Sequence, residues 1–157
     1  MLRKIVTGGE AGAEQAGWAA ARRAGIETGG YMPRGFLTEA GPAPRLGALY
    51  GAIEFPFEDP LRLRGNLRRA DGLFWFGDPE SPEARDTFDA CRSLSRPYLV
   101  IDPAFTPSRD AAGWLEAFEV QTLVVAGDRA SKTPALAPRV ETYLVRVIEL
   151  LRNRLQP

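Results

Sequence analysis

Three short stretches carry the residues that could do chemistry: "TGGEAG" at 7–12, "TGGYMPRG" at 28–35 and "AGDRASK" at 126–132. Each puts glycine directly or almost directly after an apolar or β-branched run. Glycine has no Cβ, so its backbone N–H groups can approach a ligand closely, and a helix starting just beyond adds a favourable dipole for negative charge. The expected chemistry is therefore binding of a small anionic or polar ligand. Gly8, Gly9, Gly29, Gly30, Gly35 and Gly127 would allow the approach, and Arg34, Arg129, Ser131 and Lys132 would hold an anionic end. Thr7, Asn66 and Asp71 would orient a ring or support the loops, and Glu10 would face the donor groups of a ring edge or sugar. If the ligand is turned over, Glu39 or Glu10 is the candidate general acid/base, which requires a pKa raised by burial. Each residue also has a plainer role. Strand-to-helix turns use glycine whatever they bind. Arg34 and Glu39 could be a loop ion pair of little energetic weight. Asn66 and Asp71 could serve a helix end and a turn. Asp78, Glu80 and Glu83 suit the opening of a helix as they stand.

Composition narrows the chemistry further. The chain has 157 residues, 20 basic and 20 acidic side chains, no histidine and one cysteine. Absence of histidine removes a Ser-His-Asp triad, a histidine base and histidine metal ligands. A lone Cys91 removes an intrachain disulfide and a CxxC site, and it reads as a packed helix residue. No metal-ligand spacing is evident. Without a basic excess, nucleic acid is not an expected partner. No apolar run spans a bilayer and the first residues lack a signal-peptide core, so a soluble, cytoplasmic protein is expected, with no membrane partner.

Elements to position these corners follow from periodicity. Apolar runs at 4–7, 72–76 ("GLFWF"), 97–102 ("PYLVID") and 121–127 ("QTLVVAG") read as buried strands, and 26–32 as another. Between them lie helical patterns over 10–24, 61–70, 81–94, 108–118 and 134–153. Ser81, Ser108 and Thr133 are expected as N-caps, and Val140, Leu144, Val147 and Leu151 as the buried stripe of the last helix. Residues 33–60 are irregular and long for a structureless loop, with "AIEFPF" a possible edge strand because Pro56 bars it from the sheet centre. Alternating strands and helices predict an α/β fold: a Rossmann-like, open, mainly parallel sheet with helices on both faces, one domain over 1–157, its ligand crevice at the carboxyl ends of the strands.

The ordered motifs "TGGEAGAEQAGWAAA", "GIETGGYMPRGFLTEAGPAP", "NLRRADGLFWF" and "LVVAGDRASKTPAL" span nearly the whole chain. In that order they resemble the putative molybdenum carrier family, a circularly permuted branch of the SLOG superfamily of Rossmann-like proteins. The resemblance implies a pocket for molybdenum cofactor (molybdopterin) or a nucleotide-derived ligand, held without turnover, and a homo-oligomer. Two readings stand beside it: a nucleoside-monophosphate phosphoribohydrolase-like enzyme, whose Pro-Gly-Gly-x-Gly-Thr-x-x-Glu motif this chain lacks, and a degenerate member acting in protein interaction. The sequence departs from the family at its first corner. Glu10-Ala11 replaces the usual Gln-Thr after the glycines, and "DPESPEARDT" replaces a Gly-Gly-Thr after the "LFWF" strand. A carboxylate at the first corner opposes a bare phosphate there.

Overall fold

A computed structural model describes residues 1–58 and 61–155. Its strands are β1 (Lys4–Val6), β2 (Glu27–Met32), β3 (Leu37–Thr38), β4 (Gly41–Pro42), β5 (Ala52–Glu54), β6 (Gly72–Phe76), β7 (Tyr98–Ile101) and β8 (Thr122–Gly127). Its helices are α1 (Ala13–Arg23), α2 (Arg45–Tyr50), α3 (Leu61–Arg68), α4 (Pro82–Ser93), α5 (Ser108–Ala117) and α6 (Leu136–Arg154). Six strands form one parallel sheet in the order β5-β2-β1-β8-β6-β7, and β3 and β4 make a separate hairpin. The chain's last strand thus lies in the middle, parallel to β1 and to β6.

Both faces of the sheet are covered, which is why β6 is buried at every position. Alternation divides its side chains: Phe74 and Phe76 join the core under α1, α5 and α6, while Leu73 and Trp75 join the core under α3 and α4. The α6 stripe of Val140, Leu144, Val147 and Leu151 is buried as its spacing predicts. Trp18 is fully buried and anchors a smaller cluster with Met32, Ala43, Leu46 and Ala52, its indole N–H donating to Gly29 O at 2.9 Å. The Rossmann-like α/β sheet with helices on both faces is therefore present.

Several local expectations need correction. Helix α1 starts at Ala13, not Glu10, because the Glu10 carboxylate accepts from Ala11 N–H (2.9 Å) and Gly12 takes a φ of 116°, so residues 10–12 form a turn. Thr133 does not cap α6; its hydroxyl donates to Asp128 Oδ2 at 2.9 Å and the helix begins three residues later. Ser108 is the first residue of α5, with Pro107 at the cap. Ser81 does cap α4, accepting from Ala84 N–H at 3.1 Å. The stretch from 33 to 58 is not structureless. It holds a 3-10 turn at Arg34–Phe36, the β3–β4 hairpin, α2 and the edge strand β5; Asp59 and Pro60 lie outside the described residues.

Candidate functional site

The sheet order reverses direction around β8, and in open α/β sheets that is where the carboxyl edge opens into a crevice. Here a crevice of about 360 Å³ opens between α3 and α4 and runs over β8 to the corners after β1 and β8. Of the residues expected from sequence to bind ligand, Gly8, Glu10, Asn66, Gly127, Arg129 and Lys132 line it, and so does Glu83, which was expected only to open a helix. The others lie elsewhere. Thr7 is wholly buried beneath the first corner. Gly29 and Gly30 pack under it; a Cβ on Gly30 would sit 2.2 Å from Thr7 O, and its φ is 132°. Gly127 likewise serves close packing, because a Cβ there would meet Phe76 O at 2.0 Å. Arg34 and Gly35 belong to a different surface patch, where Arg34 donates to Pro56 O (2.5 Å) and Gly35 N–H to Glu54 Oε1 (2.7 Å). Asp71 is at the opposite edge of the sheet. Its Oδ2 accepts from Gln121 N–H (2.9 Å) and Thr122 N–H (3.0 Å), tying the start of β6 to the start of β8. The expected turn role describes it; a place beside the other residues does not.

The first glycine corner is filled by the chain itself. Gly8 N–H donates to Glu14 Oε1 (2.8 Å), Gly9 N–H to Thr7 Oγ1 (3.0 Å), Ala11 N–H to Glu10 Oε1 (2.9 Å) and Ala13 N–H to Asp128 O (3.2 Å). The amides expected to face an incoming anion already hold the chain's own oxygens. Glu14 as a residue is half-buried, but burial of its carboxyl raises its pKa above the ordinary value, against the lowering pull of Arg62 and of the Gly8 amide. An ideal Cβ on Gly8 would lie 2.1 Å from Arg62 Nη1 and 2.6 Å from Glu14 Oε1, so both charged groups converge on this glycine.

Glu39 and Ser131 form a strap across the rim. Ser131 N–H (2.9 Å) and Ser131 Oγ–H (2.5 Å) donate to the Glu39 carboxylate, and Glu39 N–H donates to Glu10 Oε1 at 2.8 Å. These two Ser131 bonds hold the Glu39 carboxyl below its ordinary pKa. That is the reverse of what a general acid/base needs at neutral pH. At the last corner, Asp128 is buried and accepts from Asp78 N–H (3.1 Å) and Thr133 Oγ–H, while Lys132 Nζ stands 3.4 Å from Asp78 and 3.9 Å from Asp128. The Lys132 charge is thus already compensated.

Asn66, buried at the crevice end of α3, pairs both ways with one residue of β2: its Oδ1 accepts from Tyr31 N–H (2.8 Å) and its Nδ2 donates to Tyr31 O (3.3 Å). The amide stands in for a strand neighbour where β1 has ended. Sequence reading missed Glu14, Arg62, Trp75, Asp86 and Thr87 as crevice residues. For Glu14 the signal was its place in the first turn of α1, hidden once the helix was started at Glu10. Trp75 reads as core and is 3% exposed, but it also lines the crevice, and its Nε1 is buried with no hydrogen-bond partner. Cys91 is buried, and burial pushes its thiol up to about 11, so it is a packing residue.

The crevice carboxylates (Glu10, Glu14, Glu83, Asp86, Asp128) outnumber its cations (Arg62, Arg129, Lys132). Such a lining favours hydrogen-bond donors on a ligand over a bare anion. Among the described residues no cluster of three or more potential metal ligands occurs, and no helix is long and apolar enough to cross a membrane.

Comparison with known proteins bears on this geometry. Curated proteins offer no match. Among solved structures, the crystal structure of a putative molybdenum carrier protein from Syntrophus aciditrophicus is similar, at 29% identity over 94% of both chains and a TM-score of 0.82. The placement of β8 between β1 and β6 is what a circular permutation of a doubly wound sheet produces, and residues 5–148 match a family defined by that permutation. The chain belongs to the circularly permutated YpsA SLOG family.

Proposed function

We propose that this protein binds a small ligand with a polar heteroaromatic ring, nucleotide-like or pterin-bearing, in the α3–α4 crevice and holds it without turnover. One observation carries the reading: a concave, mixed-charge site at the carboxyl edge, within the size range of small-molecule pockets but at its lower end. Space of that order takes a ring and a sugar-sized appendage. The similar structure's name points to molybdenum, and the donor set here fits the pterin part of a molybdenum cofactor: carboxylates for its ring N–H groups and Arg129 on the lining for a phosphate. Bound there, the cofactor would bring its own metal-ligating sulfurs, and the chain would contribute orientation and shelter from water. A thermal-shift series with molybdate, neopterin and nucleoside monophosphates tests the reading, because a ligand that binds only the folded chain raises the melting temperature with its concentration. No shift with any of them sinks it.

Glu14 supports a second reading, as a hydrolase of nucleoside monophosphates. A carboxyl whose pKa is raised by burial, in a crevice beside an arginine, is suited to protonate a leaving group. Release of free base that disappears in Glu14→Gln would favour hydrolysis over holding. We further propose a cytoplasmic homo-oligomer, checked by light scattering and fractionation, and a role in protein interaction should the ligand screen come up empty.

A further inference from the structure

Trp75 is the one buried side chain among the described residues whose polar atom has no partner: its Nε1 lies out of solvent and finds no acceptor. Buried indole N–H groups ordinarily do find one, and leaving a donor unpaired is costly. The position makes the omission informative. Trp75 comes from β6, between β8 and the edge strand β7, stands edge-to-face on Phe88 of α4 with ring centroids 5.7 Å apart, and forms part of the crevice wall. On the same lining, the exposed carboxylates of Glu83 and Asp86 on α4 make no hydrogen bond or ion pair among the described residues, whereas Asp128 and Glu14 are both engaged. The crevice wall therefore holds one buried donor without an acceptor and, on α4, two carboxylates left open to a ligand's donors.

We propose that the crevice reads a 2-amino-4-oxopyrimidine ring, the edge shared by guanine and pterins, with Trp75 donating to a ring acceptor and Asp86 accepting from the adjacent N–H and NH₂ groups. This rests on the small-ligand reading above and narrows it. The chemistry selects the ring class. A carboxylate accepts through two oxygens side by side and is matched by two neighbouring donors. Adenine sets its amino group between ring acceptors, so one carboxylate oxygen would face a lone pair. The indole N–H then needs an acceptor elsewhere on the same ring, which an oxo or ring-nitrogen atom provides. Because Nε1 is closed to solvent, ring entry must widen the floor of the crevice, so binding should alter the indole's surroundings.

Calorimetric titration of the full chain with guanosine, neopterin and adenosine tests this, with tryptophan fluorescence followed in parallel. The expected result is binding of guanosine and neopterin with a change in fluorescence, and adenosine weaker by at least about tenfold. Tighter guanosine assigns the ring to a nucleotide, and tighter neopterin to a pterin; both support the proposal. Trp75→Phe keeps an aromatic ring against Phe88 and removes only the donor; it should weaken guanosine and neopterin by about tenfold. Asp86→Asn, at an exposed position where folding is not at stake, should erase the preference over adenosine. Wild-type affinity in Trp75→Phe, equal binding of adenosine, or a preference kept in Asp86→Asn overturns the assignment while leaving the small-ligand reading standing. Absence of any binding to the wild-type chain overturns both.

Discussion

Glu14 offers the most direct physical test of the first corner. Its carboxyl accepts from Gly8 N–H, faces Arg62, and is enclosed enough that burial outweighs both and raises its pKa. The folded chain therefore holds a proton on Glu14 at pH values where the unfolded chain has released it. Between the unfolded value of 4.5 and the higher folded value, the folded state binds more protons, so stability falls as pH rises. The contribution is complete below the unfolded value and lost once the folded value is passed. Each unit of elevation corresponds to about 1.4 kcal/mol. For a chain of this length, 1 kcal/mol moves the melting temperature by roughly 3 °C.

The perturbation that isolates this effect is Glu14→Gln, which keeps an oxygen for Gly8 N–H and cannot ionise. Its absolute stability also reflects the amide's fit against Arg62, so the informative quantity is the difference from wild type as a function of pH. Melting temperatures for both, measured from pH 4 to pH 8, should diverge with rising pH. The wild type should lose ground by about 4 °C for every unit by which its pKa is raised. A difference that stays flat, or that moves in the wild type's favour, refutes the claim that burial dominates at this corner.

Two further outcomes follow from the same geometry. Gly30→Ala must place a Cβ 2.2 Å from Thr7 O at a φ of 132°, and should cost on the order of 3 kcal/mol in urea unfolding. Glu39→Ala should leave the melting temperature at neutral pH little changed, because the strap is exposed, yet should speed hydrogen exchange at the Ser131 amide. Since the Glu39 carboxyl sits below its ordinary pKa, the wild-type strap should hold above about pH 4.5 and release as pH falls through its folded value.

The layers of this fold were legible because a doubly covered parallel sheet leaves continuous apolar runs such as "GLFWF" and "TLVVA", and helices such as α6 leave a stripe at helical spacing. Chain ends of elements were less legible. Thr133 looks like a cap until Asp128 takes its hydroxyl, a partner that depends on how the last corner folds over Gly77. The site was legible as a place and less so as a set of side chains. Glycines mark corners, but Gly30 and Gly127 are there because backbone of a neighbouring strand passes within a Cβ's reach, which no local pattern reveals. Asp71 had the right residue type beside the right strand, at its amino end. Trp75 sits in an unbroken apolar run, and the missing acceptor of its N–H is a property of the assembled wall between α3 and α4.

The two acids at the first corner change what that corner can be. The resemblance noted from sequence would put an amide and a hydroxyl after the glycines, where this chain has a carboxylate and a methyl group. Here Glu10 and Glu14 supply oxygens to the corner's N–H groups from within, and the Asp128 carbonyl closes the start of α1. A phosphate would have to displace two carboxylates and approach a third, Asp128, with Lys132 already engaged between Asp78 and Asp128. Electrostatics therefore pushes any anionic group of a ligand outward toward Arg129. The polar ring is left with the position along the α4 side of the crevice, between the carboxylates of α4 and the indole of β6. Glu10 is also the hinge of this arrangement, because its Oε1 accepts from both Ala11 and Glu39 and so couples the filled corner to the hairpin strapped over it. Loss of that one carboxylate would free an amide of the corner and loosen the strap together.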